Sequence, residues 1–407
     1  MSLILRGRWV LPVTRDPIPD GGILIKDGVI CALSDGDSLE KKYPDEEVLL
    51  FENEVVMPGF VNLHAHIEYS VMQGKCRGGS FLSWIQDLIK EARSMNESDW
   101  LESSRYGARL MVESGVTCLG DISKTDTSFQ AIYESGLRAV VFLEVIGLDE
   151  MEADRIIDDL RLRLLKVKDR GSERVGLGLS PHAPYTVSKR LFEEVARTAH
   201  QRKLPIMVHL SETADEEAFV REGKGLFADI FKKAAGWGNV SWNGLGLSAA
   251  MYLDTCGILA EKTIATHAVH MSKEDIRLLR ARDVSVAHCP RSNAFLGVGK
   301  APVKTFLDEG VLVGLGTDSL ASNDQIDFFD EMRALDPSIP LDLRIRMATI
   351  NGARALGLGD KIGSIEVGKY ADLIAVTVLS DDPYDVCLAT KDDICLVMVE
   401  GSVLHES

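Results

Sequence analysis

Eight short apolar runs between residues 55 and 317 constrain this chain more than any other feature. They lie at 55–61, 116–121, 139–146, 175–181, 205–211, 263–267, 284–288 and 312–317. Continuous apolar runs of this length are how buried parallel strands read. The stretches between most of them carry helical periodicity, for example 191–201, 273–281 and 302–309. Eight strands alternating with helices predict an α/β fold, a (β/α)8 TIM barrel. A doubly wound open sheet is the alternative, but no Gly-x-Gly-x-x-Gly opens a helix after the first run.

The two ends are a different material. Residues 3–10, 22–25 and 29–33 are β-like, with turn signals at 17–21 and at Asp27-Gly28. Residues 372–378 and 394–399 read the same way, followed by a turn at Glu400-Gly401. Neither end is long enough to bury a core alone. The economical arrangement is one small β-sandwich built from both termini, 1–56 with 364–407. The barrel of 57–363 is then the catalytic domain.

The chain has 407 residues, with Lys+Arg 45 against Asp+Glu 62 and a net charge of −17. That acidic balance argues against a phosphate-backbone binder, so no nucleic-acid partner is expected. Hydrophobic residues at 45% suffice for a large core and exclude disorder. No run approaches the ~18 apolar residues of a membrane span, and no membrane partner is expected. The N-terminus lacks a basic region followed by a signal-length apolar stretch. Seven scattered Cys, none in a Cys-x-x-Cys pair, predict free thiols in a reducing, cytoplasmic setting.

The histidines fall where a barrel would use them. His64 and His66 follow the first run, and His182 follows the fourth. His209 lies in the fifth, His267 and His288 end the sixth and seventh, and Asp318 ends the eighth. C-terminal strand ends converge on one barrel mouth. Imidazoles gathered there are the raw material of a divalent metal site. In His64-Ala65-His66 the two rings share one side of an extended segment and can reach one ion. A lone His-x-His is weak, but His209 and Asp318 supply two further donors at later strand ends. The fourth run ends Leu179-Ser180-Pro181-His182, without the Lys that bridges two-metal sites, so one metal is expected.

Glu212 lies three residues past His209. A carboxylate there, not itself a ligand, is suited to shuttling protons. Asp215, Glu216 and Glu217 read instead as a solvated helix start. His267 should face the mouth and could polarise an attacking water, whereas His270 falls on the following turn and reads as structural. His182, between Pro181 and Pro184, is a candidate substrate contact. Gly297-Val298-Gly299-Lys300-Ala301 lacks the earlier Gly and the Ser/Thr after Lys of a phosphate loop.

Several motifs carry a family resemblance across nearly the whole chain. They are Met57-Pro58-Gly59-Phe60-Val61-Asn62-Leu63-His64-Ala65-His66, Ser180-Pro181-His182-Ala183-Pro184-Tyr185, His209-Leu210-Ser211-Glu212-Thr213, His288-Cys289-Pro290-Arg291-Ser292-Asn293 and Thr317-Asp318-Ser319-Leu320-Ala321-Ser322-Asn323. Asn351-Gly352-Ala353-Arg354-Ala355-Leu356-Gly357 and Gly363-Ser364-Ile365-Glu366-Val367-Gly368-Lys369-Tyr370-Ala371-Asp372-Leu373 complete the set. The sequence resembles the amidohydrolase superfamily in its aminohydrolase branch of deaminases and chlorohydrolases. The resemblance implies a (β/α)8 barrel with a β-sandwich from both termini. It implies one divalent ion, Zn2+ or Fe2+, held by His64, His66, His209 and Asp318. Glu212, His267 and Asp318 would then activate water. In adenosine-type members the resemblance implies that His182 and Ser322 touch a purine nucleoside. The family's habit is a homo-oligomer, with no interface legible in the chain.

Within the branch, His66-Ile67-Glu68-Tyr69-Ser70 and Phe81-Leu82-Ser83-Trp84-Ile85 resemble the aminodeoxyfutalosine deaminases of menaquinone biosynthesis. Deaminases of S-adenosylhomocysteine and methylthioadenosine also carry a Phe-x-x-Trp here and are the alternative, with guanine deaminases and chlorohydrolases behind them. Aminodeoxyfutalosine is an adenosine whose 5′ end bears an aryl carboxylate, which needs a cationic partner. Arg77, Arg93 and Arg291 are the candidates. Trp84 could cover the adenine or the aryl tail. A non-catalytic relative kept as an assembly protein would have lost metal ligands, and every expected ligand is present.

Overall fold

The computed structural model describes residues 2–168 and 172–406. Met1, Ser407 and residues 169–171, which the domain extents above include, lie outside the described residues. The N-terminal strands are β1 (Ser2–Val10), β2 (Ile18–Lys26), β3 (Val29–Asp35) and β4 (Glu47–Pro58). Then come β5 (Phe60–Ala65), β6 (Val116–Ser123), β7 (Arg138–Val145), β8 (Val175–Pro181), β9 (Ile206–Leu210), β10 (Thr263–His267), β11 (Ser285–His288) and β12 (Val313–Leu315). Strands β13 (Leu373–Thr377), β14 (Ile394–Val399) and β15 (Ser402–Glu406) end the chain.

Strands β5 to β12 form one eight-stranded parallel sheet in chain order, with helices between them. Their side chains alternate with the period of two that a pleated strand imposes. Val140, Phe142, Met207 and Ile264 share a cluster inside the barrel. Their neighbours Val141, Leu143, Val208 and Ala265 join the core shared with the covering helices. The helix Lys189–Arg202 shows how those helices form. Ser188 caps it, and Leu191, Phe192, Val195 and Ala199 recur at helical spacing on its buried face.

The barrel closes at a seam between its first and last strands. The Asn62 amide donates to Thr317 Oγ1 at 2.8 Å, and the Thr317 N–H donates back to Asn62 Oδ1 at 3.1 Å. The N–H groups of Thr317 and Asp318 both donate to the His64 carbonyl, at 3.1 Å each.

The apolar run 55–61, predicted as one barrel strand, is divided between two sheets. Val55 and Val56 pair with β1 and β13, and Met57 and Pro58 pair with β13. The barrel strand begins only at Phe60. Gly59 makes the hand-over, because a Cβ there would lie 2.1 Å from Thr117 Cγ2. The apolar pattern is unbroken because both halves are buried.

The terminal strands form a separate seven-stranded sheet in the order β15-β14-β13-β4-β1-β2-β3. It folds over its own core, where Leu3, Ile23, Ile25, Leu373, Leu396 and Met398 meet. The Ile30 N–H donates to the Lys369 carbonyl at 2.9 Å, and the Ala371 N–H to that of Gly28 at 2.8 Å. These bonds hold the β2–β3 end against the chain entering β13.

Arg138, at the start of β7, ties the two sheets together. Its buried guanidinium reaches Asp372 Oδ2 and Glu400 Oε1, each at 2.8 Å, and lies 4.6 Å from the Tyr370 ring centre. Removing one partner of a buried pair leaves the other charge uncompensated. Arg138→Met is therefore expected to lower unfolding stability by about 3 kcal/mol, read as a shifted denaturant midpoint. Adding Asp372→Asn should recover part of that loss. An unshifted midpoint in the single variant would remove the tie. Among the described residues, no helix is long and apolar enough to cross a membrane.

Candidate active site

The backbone is left-handed at four non-glycine positions where strands β9, β10 and β12 end or have just ended. Ser211 has φ 50°, His267 67°, Ala268 49° and Asp318 58°. Such residues are uncommon and cost of order 1–3 kcal/mol each, so surrounding bonds must hold them. Glu216 does so at β9, accepting from the Ser211 N–H at 2.8 Å and the Glu212 N–H at 3.0 Å. The expectation of a solvated Glu216 is thus corrected. It begins the helix Ala214–Glu222, yet it is fully buried, and burial pushes its carboxyl well up. Its two backbone partners offset that burial and turn Glu212 toward the mouth. Past β10, the Val269 and His270 N–H groups donate to the Ser211 carbonyl at 3.0 and 2.9 Å. The His270 ring meets the Val298 carbonyl at 2.8 Å.

At the mouth, ligand atoms of His64, His66 and His209 lie within 4.8 Å of one another, as do those of His64, His267 and Asp318. Asp318 Oδ1 is 3.5 Å from His64 Nε2 and 3.7 Å from His66 Nε2. The Nε2 atoms of His66 and His209 are 3.4 Å apart. His209 Nδ1 donates to the His182 carbonyl at 3.0 Å, which leaves its Nε2 lone pair facing inward. Burial holds His66 neutral, pushed down to about 3, and holds His209 well below the usual imidazole range. Burial opposes ionisation of Asp318, but the surrounding imidazoles of His64, His267 and His66 together outweigh it and hold the carboxyl well below the usual carboxylate range. Ser292 and Ser322 both donate to Asp318 Oδ2, at 2.7 and 2.6 Å. His64 Nε2 is buried without a hydrogen-bond partner. Neutral imidazole lone pairs converging beside one carboxylate fit a divalent cation.

His267 Nδ1 donates to Asn293 Oδ1 at 2.9 Å, so its Nε2 turns toward Glu212 Oε1, 3.7 Å away. Burial pushes the Glu212 carboxyl up to about 7, with His267 pulling it back. Glu212 and His267 face the same cavity as His66, His209 and Asp318.

That cavity has a volume of about 350 Å³. One wall is the apolar face of the helix Phe81–Ser94, presenting Trp84, Ile85, Leu88 and Ile89. Phe231 and Trp237 line another part, and Lys124, Glu144 and His182 line the side formed by β6 to β8. His182 pairs with Thr186 Oγ1 at 2.7 Å, and burial pushes its ring down to about 3. The Trp84 indole donates to the Ala321 carbonyl at 2.8 Å, which fixes the ring against the wall. Arg93 lies on the same helix, about 13 Å beyond Trp84 at the usual helical rise. It lines the cavity and has no ion-pair partner among the described residues.

Three expected substrate contacts fall elsewhere. Ser322 is fully buried behind Asp318 and holds that carboxylate rather than facing the cavity. Arg291 turns away toward Asp324, Asp330 and the Gln325 carbonyl. Arg77 is on the surface, paired with Asp87 at 2.7 Å. His288 ends β11 without reaching the cavity. Two charged cavity residues escaped the sequence reading, Lys124 and Glu144. Their signal was strand alternation, since they follow the interior residues Ile122 and Phe142 by two.

A parallel barrel with a histidine–carboxylate cluster at its strand ends defines a class of hydrolases that use a divalent metal at the barrel mouth. Residues 55–404 match the amidohydrolase family, and the chain belongs to it. It is 32% identical to the 5-methylthioadenosine/S-adenosylhomocysteine deaminase of Thermococcus onnurineus, over 99% of this chain and 94% of that protein. It superposes on a zinc-bound adenosine deaminase of Xanthomonas campestris with a TM-score of 0.81 at 25% identity, covering 99% of this chain and 92% of the other. The aminofutalosine deaminase of Helicobacter pylori, solved with methylthio-coformycin, shares the fold with a TM-score of 0.86 at 24% identity, covering 98% and 99%. The protein is a hydrolase of carbon–nitrogen bonds other than peptide bonds.

Proposed function

We propose that this hydrolase deaminates the adenine of a 5′-substituted adenosine whose substituent is apolar with an anionic end, as in 6-amino-6-deoxyfutalosine. The observation that carries the reading is the course of the cavity. It runs from Glu212 and Asp318 along the apolar helix face of Trp84, Leu88 and Ile89 to the cation Arg93 on the same helix. An aryl carboxylate matches that sequence of surfaces. Deamination of such a substrate would serve menaquinone biosynthesis.

His64, His66, His209 and Asp318 would hold one divalent ion, Zn2+ in preference to Fe2+. An ion so held lowers the pKa of water toward neutrality. Asp318 and His267 orient the attacking water and take its proton. Glu212, whose buried carboxyl keeps its proton near neutral pH, gives it to adenine N1 and so makes C6 electrophilic. Water adds to C6. Glu212, now a carboxylate, takes the proton of the added C6 hydroxyl and passes it to the amino group, the C6–N bond breaks, and ammonia leaves an inosine-type product. His182 holds the purine, and Trp84 covers the substrate.

The curated relatives favour a second reading, deamination of S-adenosylhomocysteine or methylthioadenosine in salvage. Ammonia release from aminodeoxyfutalosine, S-adenosylhomocysteine, methylthioadenosine, adenosine and guanine separates the two. The expected result is a kcat/KM for aminodeoxyfutalosine at least about ten-fold above the rest, one charge-assisted contact's worth. Arg93→Ala should cost the anionic substrate about ten-fold more than it costs methylthioadenosine. Equal rates on the thioadenosines would move the role to salvage. Silence across the panel would overturn the adenine reading.

A further inference from the structure

We infer that Glu144 binds the 2′,3′-diol of the nucleoside's ribose, which rests on the nucleoside reading above. Glu144 belongs to β7, in the interior register of Val140 and Phe142, one step nearer the mouth. It is the lone charged side chain in the run 139–146. It lines the cavity, it is only 7% exposed, and Oε2 is buried without a partner. No hydrogen bond reaches its carboxyl among the described residues.

The other buried carboxylates of this region are differently placed. Glu68 accepts from the Lys124 and Thr125 N–H groups at 2.9 and 3.1 Å, and from the Thr125 hydroxyl. Glu216 accepts from two backbone N–H groups, and Asp318 from two serines. Glu212 faces His267 and is taken up by the proton transfers. A buried carboxyl without a donor is costly, and native proteins keep such groups sparingly. Glu144 is therefore the cavity carboxyl that neither the fold nor the deamination accounts for.

Its place fixes what it can meet. Glu144 pairs in register with Ser180 of β8, two residues before His182. Glu212 and His267 lie on the opposite side of His182, past β9 and β10. A purine held between Glu212 and His182 directs its sugar toward β7. A carboxylate offers two acceptor oxygens, and the vicinal diol is the part of the sugar that offers two neighbouring O–H donors. Burial chiefly, with Lys124 pulling the other way, leaves the Glu144 carboxyl pushed up to about 7. Arg163 donates to the Glu144 carbonyl at 2.6 Å and holds the strand end in place.

The test compares adenosine, 2′-deoxyadenosine and 3′-deoxyadenosine on the metal-loaded enzyme and on Glu144→Gln and Glu144→Ala. Wild type should prefer adenosine about ten-fold or more in kcat/KM, expressed mainly in KM. In both variants that preference should collapse to within about two-fold, with metal content unchanged. Discrimination that survives in the variants overturns the inference. Wild type that deaminates all three equally overturns it too, while leaving the nucleoside reading intact. Wild type that releases no ammonia from any nucleoside overturns both together. Should the variants not fold, quenching of tryptophan fluorescence by inosine and 2′-deoxyinosine decides on wild type, and equal affinities sink the inference.

Discussion

Glu212→Gln is expected to lower kcat by about three orders of magnitude while metal content, thermal midpoint and KM stay near wild type. The amide keeps the size and polarity of the side chain, so the cavity keeps its shape. It cannot give a proton to adenine N1 or pass one to the leaving amino group. Glu212 lies 3.7 Å from His267 and reaches none of the metal-binding imidazoles by hydrogen bond, so the cluster should load normally. Because the carboxyl acts on the reacting atoms, the loss should appear in kcat rather than KM. Steady-state kinetics with metal analysis of the same samples reads both. Near-normal turnover would take the proton transfers away from Glu212.

His66→Ala should have a comparable effect by a different route. His66 Nε2 sits 3.4 Å from His209 Nε2 and 3.7 Å from Asp318 Oδ1. Removing it takes away one of the neutral lone pairs that converge on the cluster. Metal affinity should fall by more than about a hundred-fold, and turnover should become undetectable at stoichiometric metal. Dialysis of wild type against a chelator should abolish activity, with recovery on adding Zn2+. The variant should not recover at the same concentration. Recovery of the variant would place the ion elsewhere in the cluster.

The fold was legible because each barrel strand is a buried apolar run, and the site because the polar residues sit where those runs stop. His64, His66, His209, Glu212, His267 and Asp318 needed only their position relative to a strand end. What the sequence hides is which way a side chain turns there. Ser322 and Asp318 are neighbours in one motif, yet Asp318 faces the cavity and Ser322 stands behind it. Arg291, Arg77 and Arg93 are equivalent as letters, but the first two find acidic partners on other segments, Asp324 and Asp330 for Arg291 and Asp87 for Arg77. Lys124 and Glu144 went unread because a search for imidazoles passes over a carboxyl inside an apolar strand. Strand 55–61 misled because hydrophobicity continues through the point where the chain changes sheets. The outer half of β4 escaped because Glu47 and Glu52 interrupt its alternation.

The seam between β5 and β12 has a kinetic meaning. Asn62 and Thr317 are 255 residues apart in the chain, so the contact that closes the barrel is among those of highest sequence separation and is entropically slow to form. The same closure carries the His64 carbonyl to the Asp318 N–H and brings the His64 ring beside the Asp318 carboxylate. Assembly of the catalytic cluster and completion of the barrel are therefore one event. A chain stalled with its last strand undocked would possess every catalytic residue and no catalytic centre. Enzymatic activity in this protein thus reports the topological completeness of the molecule, not only the integrity of its mouth.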